Sequence, residues 1–271
     1  RLNAVGASHP LQATSSIAVR GKYSTFMQGR QFLGNVQFDA GEGQEEHKDW
    51  IIFSEFNQPD VLPISNYIQL DDIQGGEITG VVPFLGGIVV FMTRGVFFLS
   101  VPQSDPTQWS LAQREKTFGC TAPNSIISWN DSIIFANNDH IYLLNSGMTA
   151  TPLTESIKDE YQKAFTSSCN IAIDSKGGRL LAMFGGNVED STQENNDNTI
   201  WNLDLTALAA NKTEWSYSLV GTASIDDIIK DNLLNIYINQ KFGDIGAGTG
   251  NTYIWPYDNG SGTEEAAISI K

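Results

Sequence analysis

Adjacent acids are the first residues in this chain whose type and spacing could do chemistry. Asp71-Asp72 and Asp226-Asp227 are carboxylate pairs of the sort glycoside cleavage uses, one acid protonating the leaving oxygen and the other acting as base or nucleophile. Both pairs stand where apolar runs meet polar connections, and acids there are usually solvated turn formers, so neither is assigned catalysis. His9, His47 and His140 are far apart in the chain, and no Gly-x-Ser-x-Gly accompanies them, so a nucleophile–base arrangement is not written into the sequence. His140 opens an apolar run and is expected at a strand end on the surface. Gly243–Gly250 (GDIGAGTG) lacks the Lys-Ser/Thr and the following helix of a phosphate loop; it reads as a hairpin loop. Glu189–Asn198 (EDSTQENNDN) lacks the ligand order and closing Glu of an EF-hand; it reads as a solvated loop rather than a calcium site.

Cys120 and Cys169 have no Cys-x-x-Cys spacing and are too few for a disulfide framework. With three His in the chain, the spacing argues against zinc. Two reduced, buried, unligated thiols are expected, which suits assembly in a reducing cytoplasm. The sequons at Asn130, Asn211 and Asn259 matter only on a secretory route. No catalytic, cofactor-binding or metal-binding residue is assigned, no cofactor is expected, and the chain reads as a non-enzyme.

Sixteen basic residues face 31 acidic ones, a formal charge of −15. Such a surface repels nucleic acid, so specific nucleic-acid binding is not expected. The excess acid serves solubility, or lines a passage through which DNA slides without sticking. No apolar run approaches the ~18 residues of a membrane span, and membrane insertion is not expected. No signal-peptide pattern opens the chain, and its first residue is Arg1. The 271 residues are expected to form a single domain that is part of a longer protein.

The elements that must position these residues recur. Apolar strands are predicted at Gln31–Val36, Ile88–Met92, Ile133–Ala136, Leu180–Phe184 and Leu233–Ile238. Each is followed by a second strand: Trp50–Phe56, Gly95–Val101, His140–Asn145, Ile200–Leu205 and Thr252–Tyr257. Near their starts these carry Trp50, Phe97, Tyr142, Trp201 and Tyr253. Short apolar segments precede the pairs (Ile78–Phe84, Ser125–Trp129, Cys169–Ile173) or follow them (Trp109–Arg114, Glu214–Leu219). Four strands per repeat of about 50 residues is the size of a propeller blade. The reading is therefore all-β, a β-propeller of about five blades, with a β-sandwich as the alternative. Leu85-Gly86-Gly87, Trp129-Asn130-Asp131, Thr93-Arg94-Gly95 and Asn137-Asn138-Asp139 read as hairpin turns. Asp39–Asp49 and Gly185–Asn198 read as exposed insertions. Helix is confined to Thr154–Phe165, where Ile157, Tyr161 and Ala164 share a face, and Leu205–Ala210.

One ordered series adds to this. Ser54-Glu55 precedes Pro59 and Pro63; Ile78-Thr79-Gly80, Ile88–Phe91 and Val96–Leu99 follow; then come Gly119-Cys120, Pro123 and Ser125. Over roughly residues 50–165 the series resembles the propellers of bacteriophage tails and head–tail connectors, the podovirus hub, nozzle and stabilisation proteins. Asp139-His140 departs from that family's Gly at the same place. In the resembling segment the prolines stiffen a loop, Glu55 and Asp60 are expected to accept backbone hydrogen bonds, and Gly80, Gly87 and Gly95 to allow close packing or unusual φ. The resemblance implies a virion component assembled in the host cytoplasm. It would be a subunit of a homo-oligomeric ring that extends or seals the DNA channel below the connector. Its partners would be the connector or adaptor ring and tail fibres or other distal parts. The alternative is a tail-associated propeller that binds or degrades glycans.

Overall fold

The computed structural model describes residues 19–39, 44–70, 76–175, 178–184, 199–209, 213, 215–219, 224–230, 236–242, 251–256 and 268–270. Beyond residue 216 it describes backbone pairing. The chain falls into two compact units, 1–121 and 122–271.

Unit 1 holds two four-stranded antiparallel sheets. In the first, β1 (Val19–Met27), β2 (Arg30–Asp39), β3 (Gln44–Phe53) and β4 (Tyr67–Gln69) pair in chain order. In the second, β5 (Ile78–Phe84), β6 (Gly87–Met92), β7 (Val96–Ser100) and β8 (Ser110–Glu115) do the same. All six residues of β6 are buried. That is why it reads as an unbroken apolar run: a strand covered on both faces has no polar side to alternate with. Phe32, Ile51 and Phe53 of the first sheet pack with Ile78, Ile88 and Val90 of the second in one cluster.

The sequence placed an insertion at Asp39–Asp49, and the structure corrects this. β3 begins at Gln44, with Gln37 opposite Glu46 and Val36 opposite His47. A half-exposed strand tolerates charges on its open face, so an acidic run is compatible with pairing. The aromatic rings on its other face secure it. His47 stacks on Trp50 at 3.7 Å and Trp50 on Tyr67 at 4.0 Å.

Arg30 ties the two sheets at one end. Its Nη1 donates to Ser54 O at 2.5 Å and its Nε to Ser104 O at 3.1 Å. The guanidinium lies 5.7 Å from the Phe53 ring and 5.9 Å from that of Trp109. At the same end Val101 N–H donates to Gly86 O at 3.1 Å. The turn between β5 and β6 is Leu85-Gly86, with φ of +44° and +76°.

Unit 2 holds three sheets of the same kind. The first is β9 (Ile127–Trp129), β10 (Ser132–Ala136), β11 (Ile141–Leu144) and β12 (Ala150–Pro152). The second is β13 (Asn170–Asp174), β14 (Arg179–Met183), β15 (Thr199–Asp204) and β16 (Trp215–Leu219). The third is β17 (Ser224–Lys230), β18 (Ile236–Phe242), β19 (Asn251–Pro256) and β20 (Ile268–Ile270). The sequence started β18 at Leu233; residues 231–235 lie outside the described residues. The helices are α1 (Lys158–Ala164) and α2 (Leu205–Ala209). Tyr161 of α1 is fully buried, with Ile157 and Ala164 packed against the same cluster, the shared face the spacing predicted.

Candidate functional site

Much of what the sequence singled out lies outside the described residues: His9, Asp71-Asp72, Glu189–Asn198, Gly243–Gly250 and the sequons at Asn211 and Asn259. Asp226 and Asp227 fall on β17, where only backbone is described. Cys120 and Cys169 are both buried cysteines. Among the described residues no group of three His, Cys, Asp or Glu could hold a metal ion.

His140 is not the surface residue expected of it: 5% of it is exposed. The Asn137-Asn138-Asp139 turn folds back on itself, with Asn137 Oδ1 accepting from Asp139 N–H at 2.8 Å and His140 N–H at 3.0 Å. This turns the imidazole inward. Its Nδ1 lies 3.1 Å from Thr154 Oγ1 and its Nε2 3.4 Å from Glu155 Oε2. Thr154 Oγ1 also accepts from Ile141 N–H at 3.2 Å. Burial pulls the imidazole pKa below its ordinary value and Lys158 adds to this, while Glu155 and Asp139 oppose it. Hydroxyl, imidazole and carboxylate are thus in line. The hydroxyl is fully buried, however, since Thr154 is 0% exposed. A nucleophile must reach its substrate, so this is a structural network that pins β11 to the segment entering α1.

The resembling residues likewise bond to backbone rather than face an opening. Ser54 Oγ accepts from Gln31 N–H at 2.9 Å, and Thr79 Oγ1 donates to Cys120 O at 2.8 Å. Ser125 Oγ donates to Ala122 O at 2.6 Å and accepts from Ala136 N–H at 2.8 Å. Gly119 leaves no room for a side chain, since a Cβ there would lie 1.9 Å from Met92 O. Glu55 differs from expectation: its carboxylate accepts from the Asn66 side chain at 3.2 Å, because the loop brings that amide to it.

Two hollows remain. One, of about 380 Å³ in unit 1, is lined by Arg20, Lys22, Asn35, Gln37, Glu46, Lys48 and Glu77 among others. Arg20 pairs across to Gln37, and Gln37 to Glu46. The β2–β3 register shifts between Gly34 and Val36, and Asn35 there has φ +55°. Its amide donates to Ile78 O at 3.1 Å, so the first sheet is fastened to the second beside the hollow. Lys48 Nζ lies 3.7 Å from Glu77 Oε2. The other hollow, of about 450 Å³ in unit 2, is lined by Trp129, Asn130, Ile173, Ser175, Gly178, Leu205 and Thr206. Sequence reasoning named neither hollow. The signal for the first was Arg20-x-Lys22, two cations on one face of a strand in an acidic chain.

No family model and no curated protein matches the chain. Solved structures do, and those matched include WD40 and other β-propeller domains. Chaetomium thermophilum Raptor superposes with a TM-score of 0.51 at 10% identity, over 93% of this chain and 21% of that one. The chain therefore spans about a fifth of the Raptor chain. The N-terminal domain of Nup159 gives 0.48 at 8% identity, over 89% of this chain and 59% of that one. The Neurospora crassa Pan2 WD40 domain gives 0.43 at 12%, over 88% and 75%. The fold is a β-propeller. Its four-stranded antiparallel sheets are the blades, each taken from one continuous stretch of the chain. At these identities the likeness speaks for fold alone.

Proposed function

We propose that this chain is a structural component of a bacteriophage tail, a ring-forming hub or nozzle subunit that extends or seals the DNA channel below the head–tail connector. The observation that carries the reading is the use made of the resembling residues. Ser54, Thr79 and Ser125 fasten strands to the connections beside them, and Gly119 lets a connection pack against Met92 of β6. A series held for framework geometry fits a building block better than a reaction centre.

Surface character supports it. Phe26, Phe56, Val61 and Leu85 are 42–58% exposed. They stand at the end of unit 1 where Arg30 ties the sheets, after β1, β3 and β5 have run toward it. Exposed apolar side chains gathered at one end suit assembly. A closed ring of identical subunits uses heterologous interfaces. Negative-stain imaging of the purified chain, alone and mixed with connector rings, tests the reading. Rings or tubes are expected; a monomer in both preparations rejects it.

One observation favours a second reading, a glycan-binding propeller. The unit 2 hollow sets the Trp129 indole beside Asn130, Ser175 and Thr206, and an aromatic face with amides and hydroxyls suits a sugar. Saturable binding of neutral oligosaccharides, lost in Trp129→Ala, would select it.

A further inference from the structure

We propose that the hollow between β1, β3 and the start of β5 is a binding site for a small polyhydroxylated monoanion, a sugar unit bearing a carboxylate such as a hexuronate. The inference is independent of ring assembly.

Three of the chain's 16 cations, Arg20, Lys22 and Lys48, converge here, in a molecule with 31 acids. Among the described residues Lys48 has Glu77 at 3.7 Å, whereas no carboxylate lies within ion-pair distance of Arg20 or Lys22. Chance placement in so acidic a chain would surround cations with acids. Here Arg20 and Lys22 line an opening with no acid in ion-pair reach, Lys22 Nζ lying 5.7 Å from the centre of the Tyr23 ring.

The walls are built. β1, β2 and β3 run nine, ten and ten residues, against five to seven in the second sheet. The cations therefore stand on strands rather than on loops. The register shift at Asn35 and its left-handed backbone carry a conformational cost. What they secure is the Asn35–Ile78 bond that closes one side. A volume of about 380 Å³ lies at the small end of ligand sites, which run from about 300 Å³.

The donor set defines the ligand. A guanidinium and an ammonium two residues apart can share one carboxylate, the Arg fork taking both oxygens. Glu46 and Glu77 accept from hydroxyls and repel a second negative charge. Gln37 supplies an amide that both donates and accepts. Three cations against two carboxylates fit one negative charge, not two or three. No aromatic ring lines this hollow, so the charge supplies the affinity and the hydroxyls the selectivity.

D-glucuronate is the probe, titrated into the isotopically labelled full chain and followed by amide NMR. Saturable shifts confined to residues around 20–22, 35–37 and 46–48 are expected. Arg20→Ala/Lys22→Ala is expected to weaken binding by about tenfold or more, the loss of a charge-assisted pair. Both side chains are exposed, so the fold should survive, and the same spectra report it. Lys163→Ala, which removes a cation on α1, is the charge control and should bind as wild type does. D-glucose and acetate should bind at least about tenfold more weakly than glucuronate. Absence of saturable shifts at millimolar glucuronate overturns the proposal. So does binding that survives the double substitution, or acetate or glucose binding as tightly as glucuronate. None of these results bears on whether the chain forms rings.

Discussion

Arg30 is 5% exposed and charged, and its guanidinium spans two backbone carbonyls from different connections. Burial pulls its pKa down, with Glu55 and Asp105 opposing. Removing it strands Ser54 O and Ser104 O and opens space between the Phe53 and Trp109 rings. Arg30→Ala is expected to cost about 2–3 kcal/mol, read from the urea midpoint. Arg30→Lys should recover only part, because an ammonium cannot fork between both carbonyls. His140 gives a pH-dependent counterpart. Its folded pKa is lowered, so the unfolded chain takes up the proton first as pH falls through about 6.5. The stability it contributes is present above that pH and is lost as pH drops toward the folded pKa. His140→Gln should lessen the fall in Tm between about pH 7.5 and pH 5 relative to wild type. Neither role was legible in the sequence. An Arg opening a strand and a His after a turn both look solvated, and only tertiary partners from Ser104 and Thr154 make them internal.

Among the elements, turns and close approaches carry the sharpest expectations. Leu85 is 55% exposed with φ +44°; a leucine there pays a left-handed backbone cost and buries little. Leu85→Asn should raise stability by about 0.5–1 kcal/mol, since Asn tolerates that region. Gly119→Ala should prevent soluble expression, because the new Cβ would meet backbone at Met92 O and at Gly95 rather than a yielding side chain. Fraction soluble and urea midpoint check the two. The strand pairs were readable where β6, β10 and β14 formed apolar runs between Gly- or Asn-containing turns. They were not at Gln44–Asp49, because a run of acids and amides has the composition of a loop; there the ladder with β2 and the stack of His47, Trp50 and Tyr67 hold the strand. The hollow at Arg20 escaped for a related reason: its cations come from β1 and β3, some 26 residues apart, and spacing along one strand does not reveal convergence across two.

For the molecule as a whole the formal charge of −15 governs long-range behaviour. Duplex DNA should not bind in a gel-shift assay at about 50 mM salt, where phosphate contacts are strongest. Micromolar binding that weakens as salt rises would instead show that Arg20, Lys22 and Lys48 form part of a basic path. The repeat of about 50 residues was sufficient to read the propeller because every sheet closes on itself locally. The tail proposal rests on the ordered series from Ser54 to Ser125, because a fold shared at 10% identity is common to proteins of unrelated function.

Among the described residues each of the five sheets takes its four strands from consecutive sequence, and none borrows a strand from another sheet. During synthesis each blade can therefore complete its own hydrogen-bonded ladder as soon as its last strand leaves the ribosome, without waiting for a distant terminus. Loop-closure entropy is small for such near neighbours, and domains emerge and fold from the N-terminal side. The order of translation then becomes the order of folding. An interrupted chain would leave finished blades with one uncovered face, rather than a set of half-paired edges.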